Sequence, residues 1–95
     1  MFEWDEAKNQ ANIAKHGVSF GRAKLIFDGP VVTSIDSRMA YGEIREISIG
    51  RVEDLLILTV VHTSRVGRIR IISARPAKRH ERMRYEEKIR SRTLN

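Results

Sequence analysis

The stretch IREISIGRVEDLLILTVVHTSRVGRIRIISAR, Ile44–Arg75, decides the fold. Apolar residues alternate around Ile47 and Ile49, crowd together in Leu55–Thr63, and alternate with arginine from Arg68 onward. A period of two is the mark of a strand with one face buried. The breaks at Glu53-Asp54 and Ser64–Gly67 are short and turn-like. The reading is therefore three consecutive strands, Ile44–Val52, Leu55–Thr63 at the centre, and Arg68–Arg75. Just upstream, Val31–Asp36 is short and β-branched, and Ser37–Gly42 separates it from the next strand. Four strands joined by short turns predict an antiparallel meander.

Outside this block the period changes to that of a helix. Trp4, Ala7, Ala11 and Ala14 recur at steps of three and four, which predicts a first helix packed through that stripe. Asp5 can cap its start, and Gly17, after His16, suits the left-handed position that closes it. A second short helix begins after Ser19, with Phe20, Ala23, Ile26 and Phe27 inward, and Asp28-Gly29-Pro30 stops it. On the other side Pro76 ends the last strand. Ala77–Arg90 then holds no helix breaker and has only a thin apolar side, chiefly Ala77, Tyr85 and Ile89. The fold class is α+β: two N-terminal helices, a four-stranded antiparallel sheet and a C-terminal helix. The helices are expected largely on one sheet face, leaving the other open.

The 95 residues read as one domain, 1–95, with 41% hydrophobic and 32% charged residues. With no cysteine, the chain can have no disulfide framework, zinc ribbon or thiolate nucleophile. The start, MFEWDEAKNQ, lacks the basic and apolar regions of a signal peptide, and no apolar run is long enough to span a bilayer. A cytoplasmic protein without membrane contact is expected. The charge is lopsided. Residues 1–64 hold seven Lys/Arg against nine Asp/Glu, whereas residues 65–95 hold eleven against three, a net of +8. Such a segment points to an anionic partner, nucleic acid or an acidic protein.

Several blocks carry a resemblance to a known family. They are FEWDEAKNQANIAKHGVSF (residues 2–20), Tyr41-Gly42-Glu43 with Arg45, Gly50-Arg51-Val52, and HTSRVGRIRIISARPAKRHERMRYEE (residues 62–87). In this order, over nearly the whole chain, the sequence resembles the BrnT toxins of bacterial toxin–antitoxin operons. Pro76 departs from the family's pattern at the join into the last helix. The resemblance implies a fold similar to the RelE toxins and an RNA-cleaving activity that stops translation. It also implies a cognate BrnA-like antitoxin with a ribbon-helix-helix domain, and contact with operator DNA only through that antitoxin.

RNA cleavage without a metal uses the 2′-hydroxyl as nucleophile on the adjacent phosphorus. The protein must help remove a proton, supply one to the leaving oxygen and stabilise a more negative phosphorane. Arginine suits the last task, since its planar fork stays charged and binds two phosphate oxygens. Arg65, Arg70, Arg75 and Arg79 are the candidates nearest the scissile phosphate; Arg68, Arg82, Arg84 and Lys88 are RNA-binding candidates. Arg68 and Arg70 share one strand face by period two, and Ile69 and Ile71 take the other.

His62, ending the third strand, is the preferred acid or base; it reads equally as a partly buried strand-end histidine. Tyr85 can donate a proton or stack on a base, and its apolar position also fits core packing. His16 fits a helix cap and His80 a surface position. Asp36 followed by Glu43-Ile44-Arg45 loosely resembles a metal-nuclease pattern with arginine in the lysine position. Three scattered histidines make no zinc signature, and no phosphate-binding glycine motif occurs, so neither metal nor cofactor is expected. The competing reading is a non-catalytic basic module that binds nucleic acid or protein and serves as a co-repressor.

Overall fold

A computed structural model describes residues 1–36, 42–53 and 55–93. Along these residues run β1 (Phe2–Glu3), α1 (Glu6–His16), α2 (Phe20–Ala23) continuing as a 3-10 turn (Lys24–Asp28), and β2 (Val31–Ile35). Then follow β3 (Arg45–Val52), β4 (Leu56–Arg65), β5 (Arg68–Pro76) and α3 (Arg79–Thr93). The meander is present: β2 pairs with β3, β3 with β4 and β4 with β5, all antiparallel. The sheet nevertheless has a fifth strand. β1 lies parallel to β5, with Phe2 opposite Ile69 and Glu3 opposite Arg70, giving the order β1-β5-β4-β3-β2. The expected four-stranded antiparallel sheet is thus a five-stranded mixed one. Two residues cannot display a period, so β1 leaves no trace in the sequence pattern.

α1 is capped as expected: the Asp5 carboxylate accepts from the Lys8 amide at 3.1 Å, and Gly17 closes the helix at φ 73°. Its buried side is not the alanine stripe. Ala7, Ala11 and Ala14 are exposed, and the buried residues are Asn9 and Asn12. Asn12 donates to the carbonyls of Ala74 at 2.7 Å and Val18 at 2.9 Å, and accepts from the Ala74 amide at 3.2 Å. β1 has already ended at this point along β5, so the outer backbone groups of Ala74 have no strand beside them. The Asn12 amide stands in for the missing ladder, and this need outweighs apolar burial of the alanines. Asn9 accepts from the Phe20 amide at 2.8 Å and fixes the start of α2.

Two apolar clusters lie on opposite faces of the sheet. Under α1, α2 and the 3-10 turn are Val18, Phe20, Ala23, Ile26, Leu58, Val60, Ile71 and Ala74. Gly50 permits this close approach, since a Cβ there would lie 2.7 Å from the Ile26 Cβ. The second cluster joins Val32, Ile49 and Ile57 to Ala77, Tyr85 and Ile89. The third helix therefore packs on the opposite face from the other two, contrary to the expected one-sided arrangement. Pro76 is the last residue of β5, and the Ala77 amide still donates to Ile57 at 2.9 Å, which turns the chain across the sheet. The thin apolar side of α3 covers the end of the sheet that holds Val32, Ile49 and Ile57, and the rest of that face stays open.

A candidate RNA-binding face

Which side chains reach the open face depends on one extra residue. Val61 lies opposite Ser73, but His62 lies opposite Ile71, so Ile72 is inserted as a bulge in β5. Before the bulge Arg68 pairs with Arg65 and Arg70 with Thr63; after it Arg75 pairs with Thr59. Thr59, Thr63 and Arg65 alternate on one face of β4. Arg65, Arg68, Arg70 and Arg75 consequently share that face, whereas counting by twos from Arg70 would send Arg75 to the other. Arg45, opposite Thr63 on β3, joins them. Arg45 was not among the arginines expected to contact RNA, and the only hint of the bulge is the Ile71-Ile72 doublet, where the alternation skips.

These cations form two groups. Arg45, Arg65, Arg68 and Arg70 lie at the hairpin end, and Arg75 lies beside the start of α3, where Arg79 and Arg82 are exposed. Thr59 and Thr63 mark the separation, four residues or about 13 Å along the strand. Between them the floor is uncharged, formed by Ser73, Val61 and Ile47, which are paired across the three strands.

Carboxylates hold each group in place. The Arg70 guanidinium meets Glu3 at 2.9 Å, with Arg68 3.8 Å from the same carboxylate. Glu43 lies between Arg45 at 3.7 Å and Arg65 at 3.6 Å. Arg75 forks onto Glu81 at 2.7 and 2.9 Å. Glu81 also accepts from the Lys78 amide at 2.7 Å and the Thr59 hydroxyl at 3.1 Å. It therefore ties the first turn of α3 to the sheet. The Arg75 hydrogen bonds, together with the other donors, bring the Glu81 carboxyl down to about 2.

His62 is not among these groups. It faces the closed side, 5% exposed, with its ring edge-on to Phe27 at 5.1 Å. Its Nε2 meets the Ser48 hydroxyl at 2.7 Å, and Ser48 in turn meets Thr33 at 2.7 Å. Burial pushes the imidazole pKa down, with Glu46 opposing weakly. Tyr85 is buried under α3, and its hydroxyl donates to the Pro30 carbonyl at 2.9 Å. Arg82 donates to the Ala77 carbonyl at 2.9 Å. Arg84 and Lys88 line the exposed side of α3 with His80, Met83 and Glu87. Asp36 is buried next to β2, and its amide donates to the Arg45 carbonyl at 2.9 Å. Among the described residues, no three His, Asp or Glu side chains converge to hold a metal ion. No helix among them is long and apolar enough to cross a membrane.

Fold and face together define a small α+β protein that presents a cationic sheet surface. Residues 4–81 match the family model described as the ribonuclease toxin BrnT of type II toxin–antitoxin systems, and the chain belongs to that family. Among solved structures it is similar to the Brucella abortus ribonuclease toxin BrnT, a crystal structure at 1.1 Å resolution. That likeness has 29% identity and a TM-score of 0.62, and covers 83% of this chain and 99% of the other. No curated protein matches the chain.

Proposed function

We propose that this protein is the toxin of a type II toxin–antitoxin pair, an endoribonuclease that cleaves RNA on the arginine face without a metal and so arrests translation. The observation that supports this most is the bulge-aligned set Arg65, Arg68, Arg70 and Arg75 on a half-open sheet surface. A single RNA strand laid across β5 and β4 meets cations at both ends and an uncharged floor between them. Arg65 and Arg70 at the hairpin end stabilise the charge that builds on the phosphorane, and Arg75 and Arg79, about 13 Å along the strand, hold a neighbouring phosphate. Arg68, Arg82, Arg84 and Lys88 add diffuse attraction; loss of one phosphate contact lowers the salt slope by roughly 0.7 on single strands. We assign His62 and Tyr85 to packing, because each is buried and already hydrogen-bonded. The chemistry takes place in the cytoplasm.

The cognate antitoxin is proposed to be BrnA-like, with a ribbon-helix-helix domain that holds the operator DNA. It covers part of Arg65–Arg90, whose charge calls for an acidic partner, and blocks RNA access. The test is induced expression in a bacterium, followed by cleavage with purified protein in excess EDTA. Growth arrest, RNA breakage that persists in EDTA, and rescue by the co-expressed antitoxin are expected. Cleavage that stops in EDTA and returns with magnesium overturns the metal-free mechanism. Repression of the operon without any RNA breakage supports the co-repressor reading instead.

A further inference from the structure

The arginines cannot accept a proton, since guanidinium stays charged at any working pH. Among the described residues, the carboxylates beside the two arginine groups of this face are Glu3, Asp36, Glu43 and Glu81; Glu86 instead lies 3.8 Å from Arg51, outside both groups. Glu81 is held by Arg75, Thr59 and the Lys78 amide. Glu3 is in hydrogen-bond contact with Arg70 at 2.9 Å. Asp36 is only 9% exposed. Glu43 differs from all three. Its oxygens lie 3.7 Å from Arg45 and 3.6 Å from Arg65, near enough for attraction but beyond hydrogen-bond distance. Its side chain is 31% exposed and lines an open groove at the edge of the sheet with Ile35, Gly42, Ile44, Glu46, Thr63 and Ser64.

We propose that Glu43 is the general base of the cleavage reaction, an assignment that rests on the ribonuclease reading above. The carboxylate removes the 2′-hydroxyl proton as the oxygen's electron pair forms the new bond to phosphorus. The bond from phosphorus to the 5′ oxygen breaks, and that oxygen takes a proton from water in the open groove. The products are a 2′,3′-cyclic phosphate and a 5′-hydroxyl end, and Glu43 returns its proton to solvent. Arg45 and Arg65, one on each side, face the phosphate whose charge increases.

Glu43 could instead serve only to orient its two arginines, and the test separates these roles. Glu43→Gln keeps the shape of the side chain and removes its basicity. The expected result is a fall in kcat of about 100-fold or more. RNA affinity should be unchanged or tighter, since a negative charge leaves a cationic site, and the acidic limb of the kcat–pH profile should disappear. A rate within threefold of the parent, or an equal fall with the acidic limb intact, overturns the assignment. If circular dichroism shows Glu43→Gln misfolded, Glu43→Asp decides: it should cut kcat at least tenfold yet keep the acidic limb, and undiminished kcat overturns the assignment. A parent protein that does not cleave RNA defeats the ribonuclease reading itself. Normal cleavage by the parent and by Glu43→Gln defeats only the role of Glu43.

Discussion

The two faces of the sheet are built from the same strands and end up with opposite properties. On one, Ile71, Ala74, Val60 and Leu58 are sealed beneath α1, α2 and the 3-10 turn, and even His62 is shut in. On the other, Arg68, Arg70, Arg75 and Arg65 stand on the same two strands with a helix at one end only. Alternation alone does not produce this division. The extra residue Ile72 shifts the phase of β5, so that Arg75 joins Arg70 while Ala74 reaches the core. The closed face is held by apolar packing and by the Asn12 amide, and the open face by carboxylate–guanidinium pairs. Mutations on the closed face should therefore act on stability, and mutations on the open face on chemistry.

The largest effects should test that division directly. Arg65→Ala or Arg70→Ala removes a cation from the open face, and each should slow RNA cleavage by roughly 30- to 1,000-fold. Circular dichroism should be unchanged, and the variants should still bind the antitoxin. If the folded variants cleave like the parent, the open face is only an electrostatic patch.

Asn12→Ala attacks the closed side. It strips the buried Ala74 amide and carbonyl and the Val18 carbonyl of their partner. A loss of about 3 kcal/mol in urea unfolding is expected. A loss under about 1 kcal/mol would show that water replaces the amide and that Asn12 does not close the β5 edge.

Glu81→Gln lies on the border, because Glu81 joins α3 to Arg75. With its carboxyl held at about 2 against an ordinary 4.5, Glu81 stabilises the fold fully above pH 4.5 and loses that contribution as pH falls toward 2. Its side chain is 14% exposed, so solvent screens it only in part, and about 2 kcal/mol should be lost at neutral pH. The acid limb of the unfolding curve should flatten in the variant.

The smallest effect belongs to His62. Its pKa is lowered in the fold by burial, so the unfolded chain takes up a proton first as pH drops below 6.5. Stability is therefore full above that value and declines below it. His62→Gln should reduce the slope of Tm against pH between 7 and 5 and leave the cleavage rate nearly unchanged. A large loss of cleavage in a folded His62→Gln protein would return His62 to the chemistry.

Much of the architecture was legible in the sequence, and the exceptions have physical causes. The meander, the cap at Asp5 and the closing Gly17 follow from period and local chemistry. β1 was hidden because two residues have no period, and the asparagine side of α1 because polar groups that satisfy backbone look like surface groups in a sequence. α3 was visible as a helix with a thin apolar stripe, but not which face that stripe would cover. For the site, the abundance of arginine was plain and its arrangement was not. Arg45 lies on a neighbouring strand and Arg75 depends on the bulge, so both need strand register. His62 sits one residue out of phase with the arginine face, between Val61 and Thr63, and a single step along a strand is enough to bury it.

RNA is expected on the arginine face of β4 and β5. A 2′-O-methyl oligoribonucleotide has no free nucleophile, so it can be titrated intact into isotope-labelled protein and followed by NMR. Backbone and arginine side-chain signals of Arg45, Thr63, Arg65, Arg70, Ser73, Arg75 and Arg79 should shift together and saturate, while Val18, Phe27 and His62 stay in place. Saturating shifts centred on α1, α2 and His62, with the arginine signals of β5 unmoved, would place the RNA on the closed side instead.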